Sequence, residues 1–207
     1  MDNQKKIIER LRIEYADTTT ALHFENPYEL MVATILAAQC TDARVNIVTK
    51  DLFPKYPSPK ELAQADLCEL EGYIKTCGLY KSKAKNLIAC AQRIMTEYGG
   101  KVPHTMEDLT SLAGVGRKTA NVVLAFAFGI PAFPVDTHVK RVTNRLGLAH
   151  SDNPDKVEEQ VTKIIKKEDW TAAHHWLIWH GRRVCKAQKP VCGKCCVADL
   201  CPYDKKQ

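Results

Sequence analysis

The sequence lacks an apolar run long enough to cross a bilayer as a helix, which takes about 20 residues. Its most apolar stretch, residues 122–130, is short and is predicted to form a buried helix. The first residues, Met1-Asp-Asn-Gln-Lys-Lys, are polar, and no hydrophobic signal region follows them. We therefore expect a cytoplasmic protein with no membrane partner.

The sequence also lacks the alternation of apolar and polar residues that marks half-buried strands, and it contains no low-complexity linker and no fixed repeat. It has instead helical spacing of apolar residues between clear capping signals. Asn26-Pro27 and Ser58-Pro59, each followed by a glutamate, predict helix starts. We predict a compact all-α fold, in which these glycines end helices as left-handed caps: Gly78, Gly99, Gly129, Gly147 and Gly181.

Acidic residues are the minority among the charged side chains. The chain has 24 acidic and 30 basic residues, which gives a formal net charge of +6. A moderate positive balance suits a polyanionic partner such as a nucleic acid, although charge alone does not prove one.

Cysteine is not scarce, since the chain has nine. A cytosolic protein rarely uses disulfides, so a close group of five near the end of the sequence predicts metal or redox chemistry. Four others are scattered among apolar residues and are predicted to be buried small hydrophobic side chains. The scattered cysteines are Cys40, Cys68, Cys77 and Cys90, and the close group is Cys185, Cys192, Cys195, Cys196 and Cys201.

Two glycines connect a short predicted helix that ends near Leu112 to a very apolar helix that starts near Arg117. Gly114 and Gly116 are separated by one apolar residue. Glycines tolerate positive φ and allow another backbone to approach closely. The first N–H groups of the following helix would then favour an anion such as a phosphate. A plain helix–helix turn explains the same two glycines equally well.

Four of the close cysteines, Cys185, Cys192, Cys195 and Cys201, are separated by six, two and five residues. Four thiolates suit either structural zinc or a cubane iron–sulfur cluster. Structural zinc more often shows two close pairs, and this segment has one. Basic residues beside the site, including Lys186 and Lys189, are candidates for DNA-phosphate contacts, with a solvated surface loop as the alternative.

Residues 112–121 resemble the helix-hairpin-helix motif of the endonuclease III family of DNA glycosylases, with Ala113 where the family usually has proline. The resemblance implies that Lys118 is the catalytic amine nucleophile. An amine attacks only when neutral, and burial, the helix dipole and Arg117 are each expected to disfavour the ammonium form. The segment Val135-Asp136-Thr-His, followed by an arginine and an asparagine, resembles the family segment that supplies the catalytic carboxylate, here Asp136. A simple helix N-cap is the other interpretation of this aspartate.

The resemblance also extends to the cysteine spacing and to two loops. It implies that the four spaced cysteines hold a [4Fe–4S] cluster and that Cys196 is left over. Gln39 is implied to fill the gap left by a flipped nucleotide, and Leu79 to act as an apolar wedge in the duplex. Asp42 is a weaker candidate for the base pocket. Without the resemblance, Gln39 is a polar residue at a helix end and Leu79 a loop anchor.

The implied fold has two helical domains with the DNA cleft between them. Residues 21–130 form a six-helix bundle with the helix-hairpin-helix, and residues 1–20 and 131–207 form an iron–sulfur cluster domain. The implied activity is that of a bifunctional DNA glycosylase and AP lyase, which excises oxidised pyrimidines through a lysine Schiff base and cuts the strand by β-elimination.

The expected partner is double-stranded DNA with damaged bases or abasic sites, bound by a monomer, nucleoid-associated if the source is bacterial. The alternatives are a mismatch-specific glycosylase of the same superfamily and a non-catalytic helix-hairpin-helix DNA-binding protein. An adenine mismatch glycosylase would lack the lysine at position 118.

Overall fold

The structure, a computed structural model, describes residues 2–203, and of Asp2 it describes the backbone alone. Within residues 2–203 the protein has eleven α-helices, two short 3₁₀ turns and no β-strand. The all-α prediction is therefore confirmed. No helix among these described residues is both long enough and apolar enough to span a membrane.

The helices are joined by turns and loops of varied length. In chain order they are α1 (Asp2–Glu14), α2 (Pro27–Ala37), α3 (Asp42–Lys55), α4 (Pro59–Ala63), α5 (Leu67–Ile74), α6 (Tyr80–Glu97), α7 (Met106–Ser111), α8 (Arg117–Ala127), α9 (Thr137–Arg145), α10 (Pro154–Thr162) and α11 (Trp170–Arg183). The 3₁₀ turns are Lys167–Asp169 and Cys192–Lys194.

Backbone contacts divide the chain into two compact units. The first unit consists of Met1–Thr20 and Pro131–Gln207, and the second unit is Ala21–Ile130. Each unit has a buried apolar core of its own.

In the second unit, α6 packs against α2, α4 and α5, and α8 packs against α2 and α7. Fully buried aliphatic side chains fill the space between them, among them Leu36, Leu70, Leu87 and Ile94. The unit contains seven helices, α2 to α8, the shortest of which is α4 with five residues.

In the first unit, α11 packs against α1 and α9, and α10 packs against α9. α1 contributes Ile7 and Leu11 to this core, and Tyr15, the residue after α1, packs into it as well. The prediction that Gly181 ends a helix is wrong, because Gly181 lies inside α11. A Cβ at Gly181 would lie 3.1 Å from Val142 Cγ2 on α9, so the glycine allows the two helices to approach closely.

The predicted helix starts are confirmed at Asn26 and Ser58, whose side chains accept hydrogen bonds from the first-turn N–H groups of Glu29 and Lys60. Three of the predicted left-handed glycines are also found as expected, with φ of +59°, +63° and +67° at Gly99, Gly129 and Gly147. Gly78 is not left-handed. The left-handed residue is Leu79, the N-cap of α6.

The scattered cysteines are only partly as predicted. Cys77 and Cys90 are buried, Cys40 is half-buried and Cys68 is exposed. Cys68 differs because α5 buries the face that carries Leu70 and Ile74, and Cys68 does not lie on that face.

Candidate active site and cysteine cavity

The turn between α7 and α8 is anchored by two buried side chains, Leu112 and Val115. The Val115 N–H donates to the Leu112 carbonyl at 3.1 Å. Gly114 has φ +78°, and a Cβ there would lie 3.0 Å from Asn86 Cβ on α6. Gly114 is therefore required both by its backbone conformation and by the space available.

Gly116 serves a different purpose from Gly114. It is the N-cap of α8 with φ −90°, which does not require glycine, and a Cβ at this position would have no neighbour within 4 Å. Of the two glycines, only Gly114 has positive φ. The open space at Gly116 lies beside the first turn of α8, where the helix dipole favours an anion.

Arg117 and Lys118 are the first two residues of α8, and both are exposed. The expected burial of Lys118 is wrong, because Lys118 precedes the buried stretch of α8, which starts at Ala120. The Lys118 side chain is accessible from solvent, and it lies at the positive end of the α8 dipole.

Asp136 belongs to the first unit and is the N-cap of α9. Its Oδ1 accepts a hydrogen bond from the Val139 N–H at 2.8 Å, and the residue is half-buried. The N-cap interpretation is therefore correct as a description of local structure. Because this hydrogen bond uses one carboxylate oxygen, capping and a catalytic role are compatible.

The segment after Asp136 is held by Arg141. Its guanidinium donates to the carbonyl oxygens of Gly181 at 3.0 Å and of Cys185 at 3.2 Å. Burial lowers the pKa of His138, which lies 3.2 Å from Arg141 Nη2, while the Asp136 carboxylate acts in the opposite direction. Arg141 thus connects the start of α9 to the end of α11 and to the first cysteine of the close group.

The two wedge candidates share an uncommon backbone conformation. Gln39, just after α2, has φ +56°, and Leu79, just before α6, has φ +59°. Both side chains are exposed, and 60% of the Leu79 surface is accessible. Non-glycine residues with positive φ are uncommon and concentrate at functional sites. Asp42, the weaker pocket candidate, is the half-buried first residue of α3.

Sequence analysis missed Lys83, which is buried between these two loops with 4% of its surface exposed. A signal was present, because Lys83, Leu87, Ala91 and Ile94 have the spacing of a single helix face. The other members of this face are buried and apolar. A lysine on a buried helix face requires hydrogen-bond acceptors.

Cys185, Cys192, Cys195 and Cys201 line one cavity, with about 370 Å³ of space between atoms, part of it open to solvent. Burial, and then the neighbouring thiols Cys201, Cys185 and Cys192, raise the pKa of Cys195. Across residues 2–203 no three His, Cys, Asp or Glu side chains are arranged to hold a single metal ion.

Two side chains beside the cavity lie within hydrogen-bond distance of its sulfur atoms. Arg145 Nη1 lies 3.6 Å from Cys185 Sγ, and His180 Nε2 lies 3.7 Å from Cys195 Sγ. His180 Nδ1 lies 3.0 Å from the Tyr15 hydroxyl. Cys196 is not among the cavity-lining residues, and its carbonyl instead accepts from Arg10 at 3.1 Å.

Lys186 and Lys189 are exposed on the loop after Cys185. Arg145 supports this loop from below, because its Nη1 donates to the Lys186 carbonyl at 2.7 Å and its Nη2 to the Ala187 carbonyl at 3.0 Å. Lys189 has φ +49°. Arg145 thus stabilises the backbone of this loop, and both lysines are exposed to solvent.

Three comparisons bear on these features. A family model described as HhH-GPD superfamily base excision DNA repair protein matches residues 32–167. The chain is 49% identical over 189 residues to endonuclease III of Synechocystis sp., covering 91% of this chain and 86% of that protein. It is 45% identical over 201 residues to endonuclease III of Escherichia coli, covering 97% of this chain and 95% of that protein.

Among solved structures, the chain matches a trapped endonuclease III–DNA covalent intermediate with TM-score 0.93 and 45% identity, covering 96% of this chain and 93% of that one. It also matches a thermostable thymine-DNA glycosylase with TM-score 0.88 and 25% identity, covering 98% of this chain and 96% of that one.

The helical fold, the hairpin before α8 and the family model together define a base-excision DNA repair protein of the helix-hairpin-helix class. Within that class, the chain belongs to the endonuclease III family. It is a DNA-binding enzyme of base-excision repair with DNA glycosylase and AP lyase activity. The alternative of a non-catalytic DNA-binding protein is therefore wrong.

Proposed function

We propose that the enzyme removes oxidised pyrimidines from double-stranded DNA through a Schiff base on Lys118. The single observation that carries this proposal is the position of Lys118, which is exposed in the first turn of α8 immediately after the hairpin. An amine there lies beside the open helix end at which a DNA phosphate is favoured.

The reaction has two stages. The damaged nucleotide is flipped out of the duplex, and Lys118 Nζ forms a bond to the sugar C1′ as the bond from C1′ to the base breaks. Asp136 assists activation of the amine and offsets the positive charge that develops on the sugar. The C1′–O4′ bond of the resulting adduct then opens: O4′ takes up a proton, and the nitrogen forms a double bond to C1′, which is the Schiff base. Loss of a C2′ proton from the Schiff base expels the 3′ phosphate, which cuts the strand.

We assign DNA contacts to three surfaces. Gln39 and Leu79 enter the duplex, with Leu79 as the apolar wedge. Gly114, Gly116 and Arg117 hold a phosphate at the start of α8. Lys186 and Lys189, on the loop after Cys185, contact phosphates. We also propose that the enzyme acts as a monomer.

The endonuclease III family carries a [4Fe–4S] cluster. We propose that Cys185, Cys192, Cys195 and Cys201 hold it here, because they line one cavity with space between their thiols and Cys196 does not. The cluster supplies covalent cross-links in a segment with few large apolar residues. Arg145 and His180 are placed to hydrogen bond to its thiolates.

A thymine mismatch activity is the second candidate, favoured by the likeness to the thymine-DNA glycosylase structure. A panel of duplexes distinguishes the two, each with one oxidised pyrimidine, one G·T mismatch or one abasic site. We expect base release and strand cleavage at oxidised pyrimidines, and cleavage at abasic sites. Faster release of mismatched thymine than of oxidised pyrimidines would contradict the proposal.

A further inference from the structure

The turn that carries Gln39 and the loop that carries Leu79 are both bonded to one buried residue, Lys83. Its Nζ donates to the Leu36 carbonyl at 2.8 Å and to the Ala38 carbonyl at 2.6 Å. Its own backbone N–H donates to the Leu79 carbonyl at 3.0 Å. The side chain of Lys83 is thus bonded to the backbone just before Gln39, and its backbone N–H is bonded to Leu79 in the first turn of α6.

The Lys83 ammonium occupies the C-terminal end of α2. Carbonyl groups at a helix end have no partner within the helix, and the dipole there is negative. Burial lowers the pKa of Lys83, and the thiols of Cys77 and Cys40 offset part of that effect. A side chain without an N–H donor at position 83 would leave the Leu36 and Ala38 carbonyls without this hydrogen bond.

The two loops also touch directly. A Cβ added at Gly78 would lie 3.1 Å from the Gln39 carbonyl oxygen, so the backbones before Leu79 and at Gln39 are in close contact. Left-handed conformations at non-glycine residues persist only where the surrounding structure enforces them. The constraints around Gln39 and Leu79 include the bonds of Lys83, this backbone contact and the bond from the Cys40 N–H to the Ala37 carbonyl at 3.1 Å.

We propose that Lys83 is a positioning residue that holds Gln39 and Leu79 together as one preformed wedge for insertion into damaged DNA. This inference rests on the proposed function, because it assumes that both residues enter the duplex. A preformed wedge reduces the ordering cost of binding, so the energy of the DNA contacts is available for extruding the damaged nucleotide.

The test uses Lys83→Met, which retains side-chain length and apolar contacts but has no N–H donor. Lys85→Met is the matched control, because Lys85 is exposed on the same helix and the charge lost is the same. Each is combined with Lys118→Gln to stop the chemistry. A duplex with 2-aminopurine opposite an oxidised pyrimidine reports insertion, because disturbing the stack changes its fluorescence.

We expect Lys83→Met to lose more than half of the fluorescence change at saturating protein, and Lys85→Met to retain it. With position 118 intact, we expect base release by Lys83→Met to be about 10-fold slower or more. That defect should shrink when the damaged base is mispaired, because a weak pair costs less to open. An unchanged fluorescence change in Lys83→Met, or a rate defect equal in paired and mispaired duplexes, overturns the proposal.

Two further variants keep the test valid if Lys83→Met does not fold. Gly78→Ala leaves Lys83 intact and forces the two loops apart at their 3.1 Å contact, and we expect a smaller but definite loss of the same signal. Adding Leu79→Ala to Gly78→Ala should then cost less than it costs in the wild type. Wild-type fluorescence in Gly78→Ala, or fully additive losses, overturns the inference.

Failure of the proposed function is visible separately. If wild-type protein is not trapped on oxidised DNA by borohydride, the Schiff-base proposal fails and the wedge inference falls with it. If wild-type protein is trapped while Lys83→Met inserts normally, the wedge inference alone is overturned.

Discussion

The catalytic roles proposed for Lys118 and Asp136 can each be tested by a single substitution. Lys118→Gln removes the amine and retains a polar side chain in an exposed first-turn position. We expect borohydride trapping on oxidised DNA to disappear, because no Schiff base forms, while DNA affinity changes little. Lys85→Gln is the matched control and should be trapped normally. Trapping of Lys118→Gln at the wild-type level would contradict the assignment of this lysine.

Asp136 has to be separated from its role as the N-cap of α9. Asparagine caps helices about as well as aspartate, so Asp136→Asn should leave the melting temperature nearly unchanged. We expect base release to slow by about 100-fold or more, which is typical when a group that offsets developing charge is removed. Asp136→Ala, in contrast, should also cost about 1 kcal/mol of stability through loss of the cap.

The two measurements together decide between capping and catalysis. Single-turnover base release and thermal unfolding are followed for both variants. If the rate follows stability, so that Asp136→Asn is as active as wild type and Asp136→Ala is not, then capping is the main role of Asp136.

Single residues also show the limit of prediction from sequence. The caps at Asn26 and Ser58 were predictable because they depend on bonds within one helical turn. The helical spacing of Lys83 indicates its burial, but the partners of Lys83 and of Gly181 were not predictable, since they lie on or beside a second helix that sequence spacing does not locate. For Lys83 those partners are the Leu36 and Ala38 carbonyls, and for Gly181 the partner is α9.

The hairpin between α7 and α8 contains a natural pair of test positions. Gly114→Ala forces a left-handed φ on alanine and places its Cβ 3.0 Å from Asn86 Cβ, so we expect it to lose about 1–2 kcal/mol of stability. Gly116→Ala meets no neighbour within 4 Å and has φ −90°, so stability should be nearly unchanged.

Gly116→Ala should weaken DNA binding even though it leaves stability nearly unchanged. If a phosphate is held at the start of α8, the added methyl group of Gly116→Ala occupies that space and weakens DNA affinity. Urea unfolding and binding to a duplex with a stable abasic-site analogue measure the two effects. Normal affinity in a stable Gly116→Ala variant would place the phosphate elsewhere.

The loop from Cys185 to Cys201 is the second element whose function depends on a few side chains. Replacing any of the four cavity-lining cysteines by serine should remove the yellow-brown colour of an iron–sulfur cluster and lower the melting temperature. Cys196→Ser should retain both, because Cys196 does not line the cavity. Metal analysis of anaerobically purified protein checks the assignment, and stoichiometric zinc without visible absorbance would contradict it.

At the scale of elements, the division of the hairpin into two kinds of glycine could not be predicted. Both Gly114 and Gly116 tolerate positive φ, and the choice between them depends on Asn86 of α6. The wedge candidates were indicated only by family resemblance, because no local sequence signal marks Gln39 and Leu79 as left-handed, and Gly78 and Lys83, which contact the turn of Gln39, lie far along the chain from it.

For the whole molecule, the contacts proposed between basic side chains and DNA phosphates predict a steep loss of DNA affinity with salt. Each neutralised phosphate adds about 0.9 to the slope of log affinity against log salt concentration. The double variant Lys186→Ala with Lys189→Ala should therefore reduce the slope by up to about 1.8, by the same relation. The control pair, Lys163→Ala with Lys166→Ala, removes the same charge from exposed positions near α10. Equal reductions in both pairs would show a general charge effect rather than contacts from the cysteine loop.

The division of the first unit into Met1–Thr20 and Pro131–Gln207 has a consequence for synthesis on the ribosome. Translation adds roughly 5–20 residues per second, so α1 emerges many seconds before α9 and α11, against which its unit is completed. During that interval Ile7, Leu11 and Tyr15 have no core to enter, whereas Ala21–Ile130 already contains every helix of its own core. We therefore expect Ala21–Ile130 to fold first during synthesis. The other unit can fold only after α9 and α11 have been made, although its helix α1 is made before all the others.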